Sequence, residues 1–122
     1  MKRRTVNVFH FYDGEENFLV RGVTYGPFRP DDEGHPYPEE EQLKRDFEAM
    51  TRTGINTIRL YTLPSDALLR QAEAHNLRLM LDIPWPKHLD VYGNPDLQEL
   101  SVKMVREGAE KVRDYPAVVG IF

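Results

Sequence analysis

Residues 54–85 constrain the fold of this chain most strongly. They contain two apolar segments, residues 55–61 and 77–83, separated by a short helix-like segment. In each apolar segment the side chains alternate between two faces, as in a strand, and polar or aromatic residues follow beside a proline. Such a strand–helix–strand unit predicts a parallel sheet, in which the carboxyl ends of buried strands open onto a binding face.

The amino-terminal residues are expected to form a β-hairpin that leads into this unit. Residues 5–11 and 17–25 contain β-branched and aromatic side chains suited to strands. Between them, Asp13 and Gly14 are expected to form a two-residue turn, because both positions tolerate a positive φ. The return strand is expected to continue into the core through Leu19, Val20 and Val23.

Three segments have helical periodicity, and each has a recognisable start or stop signal. Residues 39–53 place three apolar side chains on one stripe and are followed by a glycine, which commonly ends a helix. Residues 65–75 begin at a serine, a favoured N-cap residue, and end before Asn76. A third helix opens at Asn94 and Pro95, an N-cap followed by proline at the first helical position. Its buried side is expected to comprise Leu97, Leu100, Met104, Val105 and Val112.

Two further segments complete the order of elements. Residues 26–38 contain four prolines and several acidic residues, which predicts a loop. Loops of this length in compact domains are often functional, although a solvated surface excursion explains the composition equally well. Residues 117–122 form a third apolar strand, after the preceding helix ends near Pro116.

This order of a hairpin followed by alternating strands and helices predicts an α/β protein with a parallel sheet. An open doubly wound sheet and part of a (β/α)₈ barrel both satisfy the order. The chain has neither a G-x-G-x-x-G turn nor a P-loop, and it lacks the acidic cluster expected of a flavodoxin-like regulator. The polar residues on one face of each strand favour the barrel, where they would point inward.

We therefore predict one domain, residues 1–122, folded as the N-terminal half of a TIM (β/α)₈ barrel preceded by a β-hairpin and extending to the fourth strand. A whole barrel needs about 200 residues or more. We expect either a fragment of a longer barrel or a half-barrel that forms a homodimer through its unpaired edge strands.

The carboxyl ends of barrel strands carry the chemistry in such folds, which places a set of polar and aromatic residues at one rim. The predicted substrate-binding residues are Arg59, Tyr61, Tyr25, Asp82, Trp85 and His88. Each has a structural alternative. Asp82 would form an ion pair with Arg59 or with Arg78, and the tyrosines would fill the barrel mouth. Trp85 would cap the core, and His88 would be a solvated loop residue.

Composition argues against several function classes. The formal net charge of -4 and the lack of a basic stripe disfavour nucleic acid and anionic membranes as partners. The chain has no cysteine, and its four histidines are dispersed, so neither a metal nor another cofactor is expected. No segment is apolar enough to span a bilayer, and the basic start is followed by alternating residues, so no signal peptide is expected. These features do not indicate a cellular compartment.

Five segments, taken in order, resemble the opening half of a retaining clan A glycoside hydrolase. They are Phe18-Leu-Val-Arg-Gly-Val-Thr-Tyr, Arg45-Asp-Phe-Glu-Ala-Met, Thr53-Gly-Ile-Asn-Thr-Ile-Arg-Leu-Tyr, Leu81-Asp-Ile-Pro-Trp and Tyr115-Pro-Ala-Val-Val-Gly-Ile-Phe. The chain is similar to family 2 β-galactosidase and β-glucuronidase barrels, and closer to the fungal β-1,3-glucanosyltransferases. The resemblance covers nearly the whole chain.

The resemblance implies an enzyme that acts on β-linked glycans by hydrolysis or transglycosylation. In this family the fourth strand is followed by Gly-Asn-Glu, whose glutamate is the acid/base, and the nucleophile glutamate belongs to a later strand. Retaining chemistry needs both carboxyl groups, about 5–5.5 Å apart, so the chain as given is expected to be catalytically incomplete. Arg59 matches the arginine of the family's second strand, which orients the nucleophile. The alternative is a non-catalytic half-barrel that self-associates or binds carbohydrate.

Overall fold

The computed structural model describes residues 5–6, 11–13, 16–83 and 90–122, which form two sheets and three helices. A small antiparallel sheet comprises β1 (Thr5–Val6), β2 (Phe11–Asp13) and β3 (Glu16–Phe18). The alternating part of the chain comprises β4 (Gly22–Thr24), α1 (Glu40–Arg52), β5 (Thr57–Leu60), α2 (Asp66–Ala74), β6 (Arg78–Leu81), α3 (Pro95–Val112) and β7 (Val118–Ile121).

The second sheet has the strand order β4-β5-β6-β7, and each neighbouring pair is parallel. One row of residues crosses all four strands, from Val23 to Ile58, Leu79 and Val118. Consecutive strands that pair in parallel need a crossover connection, and here α1, α2 and α3 supply it. The predicted α/β fold with a parallel sheet is confirmed.

The hydrophobic core lies between this sheet and helices α1 and α2. On β5 and β6, the alternate residues Ile58, Leu60, Leu79 and Leu81 are fully buried. They pack against helix residues that recur at the predicted helical spacing, which are Leu43, Phe47, Leu68, Leu69 and Ala72. The opposite face of β5 therefore carries Arg59, as the strand periodicity predicts.

The predicted helix boundaries are confirmed by local backbone geometry. The Ser65 hydroxyl accepts a hydrogen bond from Leu68 N–H at 3.2 Å, and the Asn94 side chain caps α3 in the same way. After α1, Gly54 has φ +86°, and after α2, Asn76 has φ 55°. Both lie in the left-handed region that glycine and asparagine adopt most readily, so each ends its helix.

The amino-terminal hairpin is present, but its extent was predicted wrongly. Strands β2 and β3 pair antiparallel, whereas the segment predicted as one first strand, residues 5–11, contains β1 and only the first residue of β2, and β1 and β2 pair with each other. Gly14, part of the predicted turn, lies outside the described residues. The predicted return strand is divided between the two sheets as β3 and β4, and the residues between them, Leu19 and Val20, are exposed rather than in the core.

The side-chain amide of Asn56 explains the break between β3 and β4. Asn56 donates its side-chain N–H to the Leu19 carbonyl and accepts the Arg21 backbone N–H, each at 2.8 Å. Asn56 directly precedes β5, so these bonds hold the connection against the sheet at the start of β4. In a continuous strand, the Leu19 carbonyl and the Arg21 N–H would pair with a neighbouring strand. Here both bond to the side chain of Asn56 instead.

Helix α3 is less buried than its periodicity predicts. Its buried residues are Gly108 and Val112, whereas Leu100 and Val105 are 44% and 50% exposed, so their predicted burial is wrong. The helix approaches the sheet at Gly108, where an added Cβ would lie 3.1 Å from Ile83 Cδ1. Val102, on the same helix, is also exposed. We call Val102, Val105 and Ala109 the α3 flank.

Candidate functional site

Arg59 and Asp82 form an ion pair at the carboxyl ends of β5 and β6. Nη2 of Arg59 lies 2.6 Å from Oδ2 of Asp82, and Nε lies 3.4 Å from Oδ1. The parallel register places Leu60 opposite Leu81, and the Asp82 backbone N–H donates to the Leu60 carbonyl at 2.8 Å. The pair therefore sits where the sheet ends, on the face opposite the helices, with the Arg59 side chain 51% exposed.

Tyr61 completes this group from the end of β5. The Arg59 guanidinium carbon lies 5.0 Å from the centroid of the Tyr61 ring, within the range of a cation–π contact. Tyr61 is 39% exposed. The hydrogen bond from Arg59 to Asp82, with the Asp82 charge, raises the pKa of Arg59 above its ordinary value. We call Arg59, Tyr61 and Asp82 the rim cluster.

Tyr25 is not part of the rim cluster. In the register of β4 and β5, Thr24 lies beside Arg59, so the next residue, Tyr25, points to the helix side of the sheet. There it is buried against Phe28 and Phe47, with ring centroids 4.7 and 5.5 Å away, and its hydroxyl donates to the Asp46 carboxylate on α1. Burial, followed by this hydrogen bond and the Asp46 charge, raises the pKa of Tyr25. This position gives no support to the predicted substrate contact of Tyr25.

Two other predicted site residues, Trp85 and His88, lie outside the described residues. Their predicted substrate contacts stay predictions. Of the six predicted site residues, the structure thus brings together Arg59, Tyr61 and Asp82.

The loop of residues 26–38 contributes a contact that the sequence did not reveal. The Tyr37 hydroxyl donates to the Thr62 carbonyl at 2.8 Å and accepts from the Thr62 hydroxyl at 2.8 Å. Phe28 packs edge-on against Tyr37, with ring centroids 6.4 Å apart. Two aromatic residues in a polar, proline-rich loop were the available signal that it packs against the domain, next to Tyr61.

The tip of the same loop is organised by Asp31. One carboxylate oxygen accepts the backbone N–H groups of Glu33 and His35, at 3.0 and 2.8 Å. The other lies 2.8 Å from Nδ1 of His35. The hydrogen bond to Asp31 and its charge raise the pKa of His35, and the backbone hydrogen bond from His35 leads the contacts that lower the pKa of Asp31. Both side chains are exposed, in line with the solvated alternative for this loop tip.

Neither a metal site nor a membrane span is found in the part of the chain that the structure describes. Among these residues, no three or more histidine, aspartate or glutamate side chains are arranged to hold a metal ion. None of the described helices combines the length and the apolar character needed to cross a bilayer.

Comparison with known protein families identifies the chain. Residues 3–122 match the family model described as glucanosyltransferase. The chain belongs to the glucanosyltransferase family. The resemblance to clan A glycoside hydrolases is thereby confirmed. A relative of this glucanosyltransferase-family chain is 1,3-β-glucanosyltransferase gel1 of Aspergillus fumigatus, 32% identical over 88 residues, which cover 69% of the chain and 20% of gel1.

Solved structures support the same fold for this glucanosyltransferase-family chain. Gas2p of Saccharomyces cerevisiae in complex with laminaripentaose aligns with a TM-score of 0.70 and 21% identity, covering 99% of the chain and 30% of Gas2p. Bacteroides uniformis β-glucuronidase 2 also aligns with a TM-score of 0.70 and 21% identity. The alignment covers 92% of the chain and 13% of the β-glucuronidase. These neighbours are TIM-barrel glycoside hydrolases, and the chain has the fold of part of such a barrel. It spans about a fifth of the length of gel1.

Proposed function

We propose that this chain supplies the glycan-binding first half of a retaining (β/α)₈ enzyme that acts on β-1,3-glucans, by transglycosylation or hydrolysis. Membership of the glucanosyltransferase family supports the reaction class. The name of gel1, a 1,3-β-glucanosyltransferase, supports the linkage, as does the laminaripentaose bound in the Gas2p structure. The observation on which the proposal rests is the rim cluster at the carboxyl end of the parallel sheet.

The chemistry of the rim cluster suits a sugar. A pyranose ring offers hydroxyl groups that donate and accept hydrogen bonds, and C–H groups that pack on aromatic rings. Asp82 offers carboxylate oxygens as acceptors, and Tyr61 offers an aromatic ring that is 39% exposed. Arg59 lies between them, with a guanidinium fixed by both neighbours. Because these side chains are already held in place, less conformational entropy is lost when a sugar binds.

From the same geometry we infer a binding role rather than a bond-breaking role for Asp82. A retaining mechanism uses two carboxyl groups about 5–5.5 Å apart, one as nucleophile and one as acid/base. The Asp82 carboxylate is engaged by Arg59 through two N–H groups. Under this proposal, Asp82 binds sugar hydroxyls and Arg59 orients the nucleophile. The acid/base glutamate follows the fourth strand of the barrel, and the nucleophile glutamate belongs to a later strand.

Calorimetric titration with β-1,3-linked laminaripentaose tests the proposal, with β-1,4-linked cellopentaose as the linkage control. We expect saturable binding of laminaripentaose that Arg59→Gln weakens at least tenfold. The matched control is Arg70→Gln, which breaks an exposed ion pair with Glu40 between α1 and α2, outside the rim cluster. Equal affinity of Arg59→Gln and the unmodified chain would contradict the proposal.

A second candidate, a non-catalytic half-barrel that self-associates, is favoured by the exposed α3 flank. Val102 and Val105 are 56% and 50% exposed, and β7 lies at the edge of the described sheet. A closed pair would place β7 of one copy beside β4 of the other. Beside β4, however, α1 presents a hydrogen-bonded polar surface of Gln42, Arg45 and Asp46. The apolar α3 flank and the polar surface of α1 are a poor match. We therefore prefer the first candidate, the glycan-binding half of an enzyme.

Light scattering after size-exclusion chromatography decides between the two candidates. The first predicts a monomer. The second predicts a dimer that dissociates when Val102→Lys and Val105→Lys are combined. Both residues are exposed, so these changes leave the core intact.

A further inference from the structure

We infer that Tyr37 is a positioning residue, which holds Tyr61, and through it Arg59, in the geometry of the rim cluster. The effect on sugar binding rests on the proposed function, whereas the positioning itself rests on the loop geometry alone. The residue lies in the loop between β4 and α1, outside the rim cluster.

Two reciprocal hydrogen bonds join Tyr37 to Thr62, and we call them the hydroxyl clamp. The Tyr37 hydroxyl donates to the Thr62 carbonyl, and the Thr62 hydroxyl donates back to the Tyr37 oxygen, both at 2.8 Å. One bond holds the main chain and the other holds the side chain of the same residue. The clamp therefore restricts rotation of Thr62 about its backbone as well as about χ1.

The tyrosine side of the hydroxyl clamp is rigid. Tyr37 is 8% exposed and lies between Pro36 and Pro38, whose rings fix φ. Three residues later α1 begins, and the carbonyl of its N-cap residue Glu39 accepts the first helical N–H, from Leu43. Burial raises the pKa of Tyr37, so the hydroxyl keeps its proton at physiological pH. The clamp thus ties the start of α1 to the end of β5.

The other side of the clamp is the residue that follows Tyr61. Residues 61–62 lie beyond the last residue of β5, so the sheet ladder does not fix their backbone. Rotation there would move the Tyr61 ring, which lies 5.0 Å from the Arg59 guanidinium carbon. Positioning errors of about 1 Å are costly at a binding site, because contacts are made in one geometry. Loss of the clamp should therefore loosen the rim cluster and leave the core packed.

The test compares hydroxyl-deleting variants with variants that keep the hydroxyl, all in the 122-residue chain. Tyr37→Phe removes the whole clamp and keeps the ring, and Thr62→Val removes one of its two bonds. Thr62→Ser keeps both bonds, and Tyr92→Phe deletes a hydroxyl from a tyrosine that is 96% exposed. Thermal melting and a dispersed amide NMR spectrum check that each variant is folded. If Tyr37→Phe does not fold, Thr62→Val carries the test.

The first measurement needs no sugar and follows the Arg59 Nε–H and Tyr61 ring resonances by NMR. We expect them to move in Tyr37→Phe and, less far, in Thr62→Val, and to stay unchanged in Thr62→Ser and Tyr92→Phe. A merely structural role would lower the melting temperature without moving these signals. Unchanged Arg59 and Tyr61 resonances in a folded Tyr37→Phe or Thr62→Val chain would overturn the inference.

The second measurement is the Kd for laminaripentaose. We expect the Kd to rise about tenfold in Tyr37→Phe, a loss of binding free energy comparable to that of one typical hydrogen bond. In Thr62→Ser the Kd should be unaltered. If the unmodified chain does not bind laminaripentaose, the proposed function fails, but the sugar-free resonances still decide whether Tyr37 positions Tyr61.

Discussion

Arg59 and Asp82 lie on neighbouring parallel strands, and their side chains meet 2.6 Å apart just where β5 and β6 end. The two residues are 23 positions apart in sequence, and α2 lies between them. The crossover helix brings the strands into parallel register, so the pairing follows from the strand–helix–strand unit itself. The account of this glucanosyltransferase-family chain as a glycan-binding half-barrel depends on that relationship.

Replacing Asp82 separates a binding role from a structural one. Asp82→Asn should weaken laminaripentaose binding about tenfold, because the neutral amide neither fixes Arg59 nor offers two anionic acceptors. The melting temperature should change little, since the Arg59 partner is half exposed. The matched control is Glu40→Gln, which breaks the exposed pair with Arg70. A large loss of melting temperature with unchanged affinity would assign Asp82 to structure.

Tyr25 should behave in the opposite way. Tyr25→Phe deletes a buried hydroxyl that donates to Asp46, and we expect the free energy of unfolding to fall by about 1–2 kcal/mol. Sugar affinity should not change, because Tyr25 faces the helices. Urea denaturation and calorimetry check the two effects. Weakened binding at unchanged stability would show that Tyr25 reaches the sugar after all.

The loop tip should have a pH dependence set by the pair His35 and Asp31. The pKa of His35 is raised above 6.5, so the contribution of its protonated form is complete below pH 6.5 and disappears as pH rises through the folded pKa. The pKa of Asp31 is lowered below 3.8, so the contribution of its carboxylate is complete above pH 3.8 and disappears as pH falls through the folded pKa. The tip is therefore held most firmly between these two pH values.

An NMR titration of the His35 ring checks this pH dependence. The midpoint should lie above 6.5 in the unmodified chain and fall in Asp31→Asn. Glu33→Gln is the matched control, because the Glu33 carboxylate lies farther from His35, at 3.7 Å. Equal midpoints for the unmodified chain and Asp31→Asn would refute the pairing.

Gly54 should be required for its backbone conformation alone. At φ +86° an added Cβ would meet no atom within 4 Å, so the cost of Gly54→Ala is that of the left-handed conformation, about 1–2 kcal/mol. Gly54→Asn should cost less, because asparagine adopts this conformation more readily. Chemical denaturation of both variants checks the order. An alanine variant as stable as the asparagine one would mean that α1 ends for another reason.

Local signals in the sequence were sufficient for most of the fold. The alternation around Ile58 and Leu60 identified the buried face of β5, and Ser65 marked the start of α2. The buried face of a strand and the start of a helix depend on residues within a few positions of each other. Local backbone geometry determines both. The same alternation placed Arg59 and Tyr61 on the open face.

Features that depend on distant residues were missed or predicted wrongly. The break before β4 depends on Asn56, more than 30 residues later. The contact of Tyr37 with Thr62 spans 25 positions. Helical periodicity in α3 showed which residues share a face, but how much of that face is covered depends on neighbouring elements.

Chemical-shift mapping of the labelled chain with laminaripentaose tests the central claim most directly. The account predicts saturable shifts concentrated at Arg59, Tyr61 and Asp82, with none on the α3 flank. The absence of saturable shifts, or shifts concentrated on the α3 flank, would contradict it.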